Sequence, residues 1–322
     1  MKKFLALSLC IIMIISTLLV GCDNKAQAVK FGAGVYSSTP AVTDATIDQN
    51  GSGKIDVTVA ALTVDADGKI VACALDTTSN TVNFTAEGVA VAGEFKTKYE
   101  FGKDYNMVAY GGATKEWFEQ ADAFEGVVVG KTLDEVKALV AEGNKGTDEV
   151  VSAGCTIMIH EFVGAIEKAY NAATAEVSAD ATLKVNMVTD QTLTDANEDK
   201  DGTNKIAINI FAAAFDAEGK VLAASSDCVE VAFGFTVEGA ATLDTTKAVV
   251  SKKEQGSAYG MVAYGGSDKE WNEQAAEFDA ACVGKTTAEI AGLKDADGKG
   301  VADLQAAGCT IDVTGFVKAA TK

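Results

Sequence analysis

Residues 105–132 read YNMVAYGGATKEWFEQADAFEGVVVGKT, and residues 259–286 read YGMVAYGGSDKEWNEQAAEFDAACVGKT. The two stretches align without a gap, 154 positions apart (Tyr105 to Tyr259). Within the first, Trp117, Ala121, Phe124 and Val128 fall at i, i+4, i+7 and i+11, which is one face of a helix. Trp271, Ala275, Phe278 and Cys282 repeat that face. Gly130 and Gly284 follow where left-handed geometry ends a helix and favours Gly. Thr132 and Thr286 then begin a second helix as N-caps, with Glu135 and Glu289 three residues on completing a capping box.

Working outward, the second helix is expected over 133–142 and 287–293, followed by a polar loop (142–148; 295–300). Ala153-Gly154-Cys155-Thr156-Ile157 comes next and recurs as Ala307-Gly308-Cys309-Thr310-Ile311. A terminal helix is expected over 161–171 and 315–320. Upstream, Lys54-Ile55-Asp56-Val57-Thr58-Val59 alternates, residues 71–75 are rich in β-formers, and Asp65-Ala66-Asp67-Gly68-Lys69 between them is a turn signal. Residues 205–224 repeat the hairpin around Asp216-Ala217-Glu218-Gly219, at an offset of 151 (Asp65 to Asp216). A third strand is expected at 81–85 and 229–237. Strands followed by helices read as α+β. A repeat this long points to tandem domains, since solenoid units run to roughly 20–50 residues. The expected organisation is two tandem homologous domains over 36–172 and 179–322, each a β-hairpin or small antiparallel sheet followed by helices. A short linker joins them over 172–179, and a tether spans 23–35.

Residues 1–22 carry a positive start, an apolar run shorter than the ~20 residues of a spanning helix, and Leu19-Val20-Gly21-Cys22. That ending looks like a lipobox, in which Cys22 is the lipidated first residue of the mature chain; the other readings are an ordinary secretory signal or a short anchor helix. The expected place is outside the cytoplasm, on the outer face of the cell membrane. Forty-six acidic against 27 basic residues give a net charge of −19. Such a surface repels phosphate backbones, so nucleic-acid binding is excluded.

Seven Cys occur, five of them beyond Cys10 and Cys22, and no C-x-x-C is present. Neither a redox dithiol nor a zinc ribbon is indicated, and Cys73, Cys155, Cys228, Cys282 and Cys309 read as small buried residues. The one His, His160, aligns with Thr314, so a function carried by both repeats cannot use it. Residues 195–202 begin like a calcium loop but place Lys200 where Gly is needed, which marks a solvated turn.

Thr156 and Thr310 each follow three small residues, at the point where a polar loop re-enters packed structure. A Gly at such a place lets another group approach the backbone. An accessible hydroxyl there is a candidate acceptor for a covalent group; the other reading is an ordinary strand or N-cap Thr.

Three further elements carry a resemblance. They are Lys96-Thr97-Lys98-Tyr99-Glu100-Phe101-Gly102-Lys103-Asp104-Tyr105-Asn106-Met107, the Lys-Glu-Trp-x-Glu-Gln-Ala runs at 115–121 and 269–275, and Val-Gly-Lys-Thr at 129–132 and 283–286. With the Thr motif they resemble the FMN-binding extracellular electron-transfer lipoproteins of Firmicutes, the PplA type. The resemblance covers roughly the C-terminal two-thirds of each domain. It implies two FMN groups joined through phosphodiester bonds to Thr156 and Thr310, with Gly154, Gly308, Cys155 and Cys309 around them. It also implies an ApbE-type flavin transferase acting with FAD and Mg²⁺. The expected role is a redox carrier, not a turnover enzyme, between a membrane quinol-oxidising system and ferric iron or free flavin. Trp117 and Trp271 are candidates to stack on the flavin, with helix-core packing as the competing reading. Tyr105, Tyr259, Tyr110 and Tyr264 flank the Gly-Gly turns. Lys115 and Lys269 are candidates for the phosphate, with a solvated Lys as the competing and favoured reading. Family sites read Ser-Gly-Ala-Thr where this chain reads Ala-Gly-Cys-Thr. The alternative expectation is a surface lipoprotein that binds a small molecule or protein partner and carries no flavin.

Overall fold

The computed structural model describes residues 28–322, so the expected signal segment, Cys22 and residues 23–27 of the expected tether lie outside the described residues. The fold is α+β, with two antiparallel sheets packed face to face and helices covering their outer sides.

The expected hairpins are present and long. β3 (Gly51–Val64) turns into β4 (Ile70–Phe84), and β8 (Gly202–Phe215) turns into β9 (Val221–Phe235). Asp65 closes the first turn: its Oδ1 accepts from the backbone N–H of Asp67 at 2.9 Å and of Lys69 at 2.8 Å. Asp216 does the same for Glu218 and Lys220. Residues 81–85 and 229–237 form no separate strands; 81–84 end β4 and 229–235 end β9. In each sheet the third strand instead precedes the hairpin: β1 (Ala28–Ser37) pairs with β3, and β7 (Thr182–Thr194) pairs with β8. Short β2 (Ala41–Thr43), β5 (Ala90–Val91) and β6 (Ala175–Ser178) complete the first sheet.

β1 and β6 correct two expectations. Residues 28–35 are not tether, and 175–178 are not simple linker: β6 adds to the free edge of β1, pairing Ala28 with Ser178. The Gly-rich look of 32–34 has a packing cause. A Cβ at Gly32 or Gly34 would collide with the backbone of Ala169 in the helix laid across them. These glycines permit close helix approach and do not loosen the chain.

Strand periodicity divides the core. Ile55, Val57, Val59 and Ala61 point to the other sheet, where they meet Ile206, Ile208, Ile210 and Ala212 in one shared cluster. The alternate residues Ala60, Leu62 and Val64 face the first helical layer, and Phe211, Ala213 and Phe215 face the second. Each half therefore has a helix-side core of its own and shares a third core with its partner half.

The first helical layer contains α1 (Lys98–Phe101), α2 (Trp117–Val128), α3 (Leu133–Lys137), α4 (Asp148–Ala153) and α5 (His160–Asn171). The second contains α6 (Lys252–Gln255), α7 (Trp271–Cys282), α8 (Thr287–Ile290), α9 (Ala302–Ala306) and α10 (Thr314–Ala320). Trp117, Ala121, Phe124 and Val128 are buried along α2, as their spacing predicts. Thr132 and Thr286 form the predicted capping boxes with Glu135 and Glu289. α3 stops at Lys137, short of the expected 142. α4 and α9 were not expected, since five or six residues give too little periodicity to detect.

The contacts between halves are reciprocal. Ala45 N–H donates to Gly239 O and Ala196 N–H to Gly88 O, both at 2.8 Å. Asp195 Oδ1 accepts from Ala90 N–H, and Asp44 Oδ1 from Ala241 N–H. Lys168 pairs with Glu254 and Lys322 with Glu100, both at 2.7 Å. Each contact in a pair joins the same two repeat positions with the halves exchanged, which is the pattern of an isologous two-fold interface.

Candidate functional site

α4 ends at Ala153, and Gly154 caps it at φ +104°; α9 is capped by Ala307, and Gly308 follows at φ +103°. That conformation is strained for any residue with a Cβ. The space is also taken: a Cβ on Gly154 would collide with Lys115 Nζ, and one on Gly308 would lie 2.8 Å from Lys269 Cε. Glycine at this motif position thus answers both a backbone and a packing demand.

Cys155 and Cys309 turn inward and are fully buried in the two helix-side cores. They do not line an accessible site, which corrects their expected place around a cofactor. Burial pushes both thiols up to about 11. The five Cys of the described residues are free thiols. With Cys155 anchored below, the next residue is turned outward, and Thr156 and Thr310 are both exposed.

Each Thr is held by a residue that sequence reasoning missed. Gln120 Oε1, on α2, accepts from Thr156 N–H at 2.8 Å and from Thr156 Oγ1–H at 3.0 Å. Gln274 Oε1, on α7, accepts from Thr310 N–H at 2.8 Å and Oγ1–H at 3.1 Å. Both glutamines are buried, at 1 % and 0 % exposure. Their amide groups are held in turn, Gln120 Nε2 donating to Lys115 O and Gln274 Nε2 to Lys269 O, each at 3.0 Å. The available signal was a polar residue inside the apolar stripe of each long helix, between Trp and Phe.

Lys115 and Lys269 each reach a backbone carbonyl of the motif. Lys115 Nζ donates to Ala153 O at 3.3 Å, and Lys269 Nζ to Ala307 O at 2.7 Å. They differ in charge balance. Lys269 also pairs with Glu277 at 2.6 Å, while Ala123 stands at the matching place in the first repeat. Neighbouring loops are tied down by Glu116, whose carboxylate accepts from Met107 and Val108 N–H, and by Glu270, which does the same for Met261 and Val262. At their tips Tyr110 and Tyr264 are 88 % and 93 % exposed. Trp117 and Trp271 are not available for stacking on a cofactor. Both are core residues, packed edge-on against Phe162 and Phe316.

A second feature lies where the halves meet. A cleft of 610 Å³ is lined by Leu75, Asp76, Tyr99, Glu125, Val185 and Met187 among others. Burial pushes the Asp76 carboxyl up to about 6 and that of Glu125 up to about 8. The related cleft of 380 Å³ carries Lys253 in place of Tyr99, and Lys253 Nζ lies 3.5 Å from Asp279, the counterpart of Glu125. Residues 195–202 form the expected turn, with Asn197 bridging Lys200.

No protein-family model, curated protein or solved structure matches the chain.

Proposed function

We propose that the protein is a lipid-anchored flavoprotein electron carrier built from two tandem homologous domains, with FMN joined by a phosphodiester to Thr156 and to Thr310. The observation that carries this reading is the duplicated setting of the two hydroxyls. Each is exposed, each is bonded to a buried Gln, and each has a Lys side chain lying in the space that the motif glycine leaves. The reciprocal contacts between halves support duplication of one unit.

The residues present fit the group. A phosphodiester is a monoanion, and Lys115 Nζ, free of any carboxylate partner among the described residues, offers it a cation. Tyr110 and Tyr264 offer exposed rings on the loops that Glu116 and Glu270 tie down. When bound, the flavin supplies reversible electron acceptance, and the protein supplies position and electrostatics. A covalent tether keeps the cofactor at an effective concentration on the order of mM in an open medium. An ApbE-type transferase is the partner that installs it. Electrons pass from a membrane quinol-oxidising system to ferric iron or free flavin outside, and the lipid on Cys22 holds the protein at that surface.

The test is co-expression of the mature chain with a flavin transferase, followed by denaturing electrophoresis and in-gel fluorescence. Thr156→Val and Thr310→Val each leave a half-bright band, and the double variant is dark. A dark wild-type band defeats the proposal; colour that disappears on denaturation shows non-covalent binding instead. The cleft with Asp76 and Glu125 favours a second reading, a surface lipoprotein that binds a small molecule there and carries no flavin.

A further inference from the structure

The geometry points to Gln120 and Gln274 as the positioning residues that aim each threonine hydroxyl for modification, an inference that rests on the flavin reading above. An exposed Thr side chain ordinarily samples several χ1 rotamers. Here one amide oxygen accepts from both the backbone N–H and the hydroxyl of the same Thr, which closes a small ring and selects one rotamer. The amide is itself immobilised, because its Nε2 is bonded to the carbonyl at the start of its own helix. In the second repeat Ser267 Oγ adds another bond at 2.9 Å. A Gln in an apolar stripe loses water, and only a fixed set of partners offsets that cost. The same arrangement occurs twice, 154 positions apart (Gln120 to Gln274), with matching distances.

The chemistry defines what the glutamine does and does not do. In transfer from FAD, a bond forms between Thr Oγ1 and the phosphorus on the flavin side. The P–O–P anhydride bond breaks and AMP leaves. The hydroxyl proton goes to a base on the transferase, because a neutral amide oxygen does not hold a proton at ordinary pH. Gln120 therefore acts before the bond forms, by fixing where Oγ1 stands, and afterwards keeps the Thr156 N–H. Holding a nucleophile in one geometry is a rate effect that misplacement by about 1 Å erodes by about 100-fold.

The repeat supplies its own control. Purified full-length chain is incubated with transferase, FAD and Mg²⁺, and flavin on the Thr156 and Thr310 peptides is followed separately by mass spectrometry. In Gln120→Leu the initial rate at Thr156 falls about 10- to 100-fold, while Thr310 in the same molecules labels at the wild-type rate. In Gln274→Leu the loss moves to Thr310, and Thr156 labels at the wild-type rate. Methyl NMR couplings of Thr156, read without any flavin, show one χ1 rotamer in the wild type and averaging in Gln120→Leu. Equal rates at the two peptides in Gln120→Leu overturn the positioning role. So does a Gln274→Leu chain with wild-type thermal stability in which Thr310 labels at the wild-type rate. Wild-type protein that takes flavin on neither Thr defeats the flavin reading itself, and that outcome is separate from both.

Discussion

The ring of Phe84 lies flat against the ring of Phe235, with centroids 4.6 Å apart and planes 4° apart. The two residues end matching strands, β4 and β9, and each is fully buried. The stack therefore sits where the two halves exchange equivalent contacts, and it belongs to neither half alone.

Removing either ring opens a cavity at that junction. Phe84→Ala and Phe235→Ala are each expected to cost about 3–5 kcal/mol. The double variant falls short of the sum by about 0.5–1.5 kcal/mol, the coupling of an aromatic pair. Urea denaturation of the four proteins measures the cycle, and full additivity would show that the rings do not depend on one another.

Stability should fall as pH rises from about 4 to about 8. Burial raises Asp76 from 3.8 to about 6 and Glu125 from 4.5 to about 8, so the folded state binds more protons than the unfolded state across that window. Asp227 and Asp279 are raised by burial in the same direction. Each group thus contributes most below its unfolded value and loses that contribution as it ionises in the fold. Glu125→Gln should flatten the curve of unfolding free energy between pH 6 and 8, where Asp76 has already ionised. An unchanged slope would place the titration elsewhere.

Gly154→Ala should lower stability by about 1–2 kcal/mol from its left-handed backbone alone, with a further loss from the collision with Lys115. Adding Lys115→Ala recovers the collision part and leaves the backbone part. Thermal melts of the single and double variants separate the two, and a Gly154→Ala protein that melts with the wild type would contradict the φ of +104°.

Cys155 and Cys309 should resist alkylation in the native protein and react fully in denaturant. Each thiol is buried and raised to about 11, so the thiolate is scarce and unreachable at neutral pH. Peptide mass after a short iodoacetamide pulse gives the result, and rapid native labelling at either position would mean that the motif opens.

The long helices, both hairpin turns and the two capping boxes were legible because they depend on neighbours three or four residues away, as Trp117–Ala121, Asp65–Lys69 and Thr132–Glu135 do. The threonines were legible through repetition. β1 was not: the chain at Gly32 and Gly34 looks loose until the helix carrying Ala169 is laid on it. Trp117 and Trp271 were ambiguous for a related reason, since a helix stripe does not say which of its large rings the next layer covers.

Sequence alone determined the α+β class, the repeat and the positions of the two motif hydroxyls, since local spacing and turn chemistry are written in consecutive residues. Only the tertiary structure decided that the two sheets share a core, that Phe84 meets Phe235, and that Gln120 grips Thr156 from 36 residues away. Those relationships arise when apolar faces close on one another and bring distant polar groups within bonding reach, a step that no local pattern records.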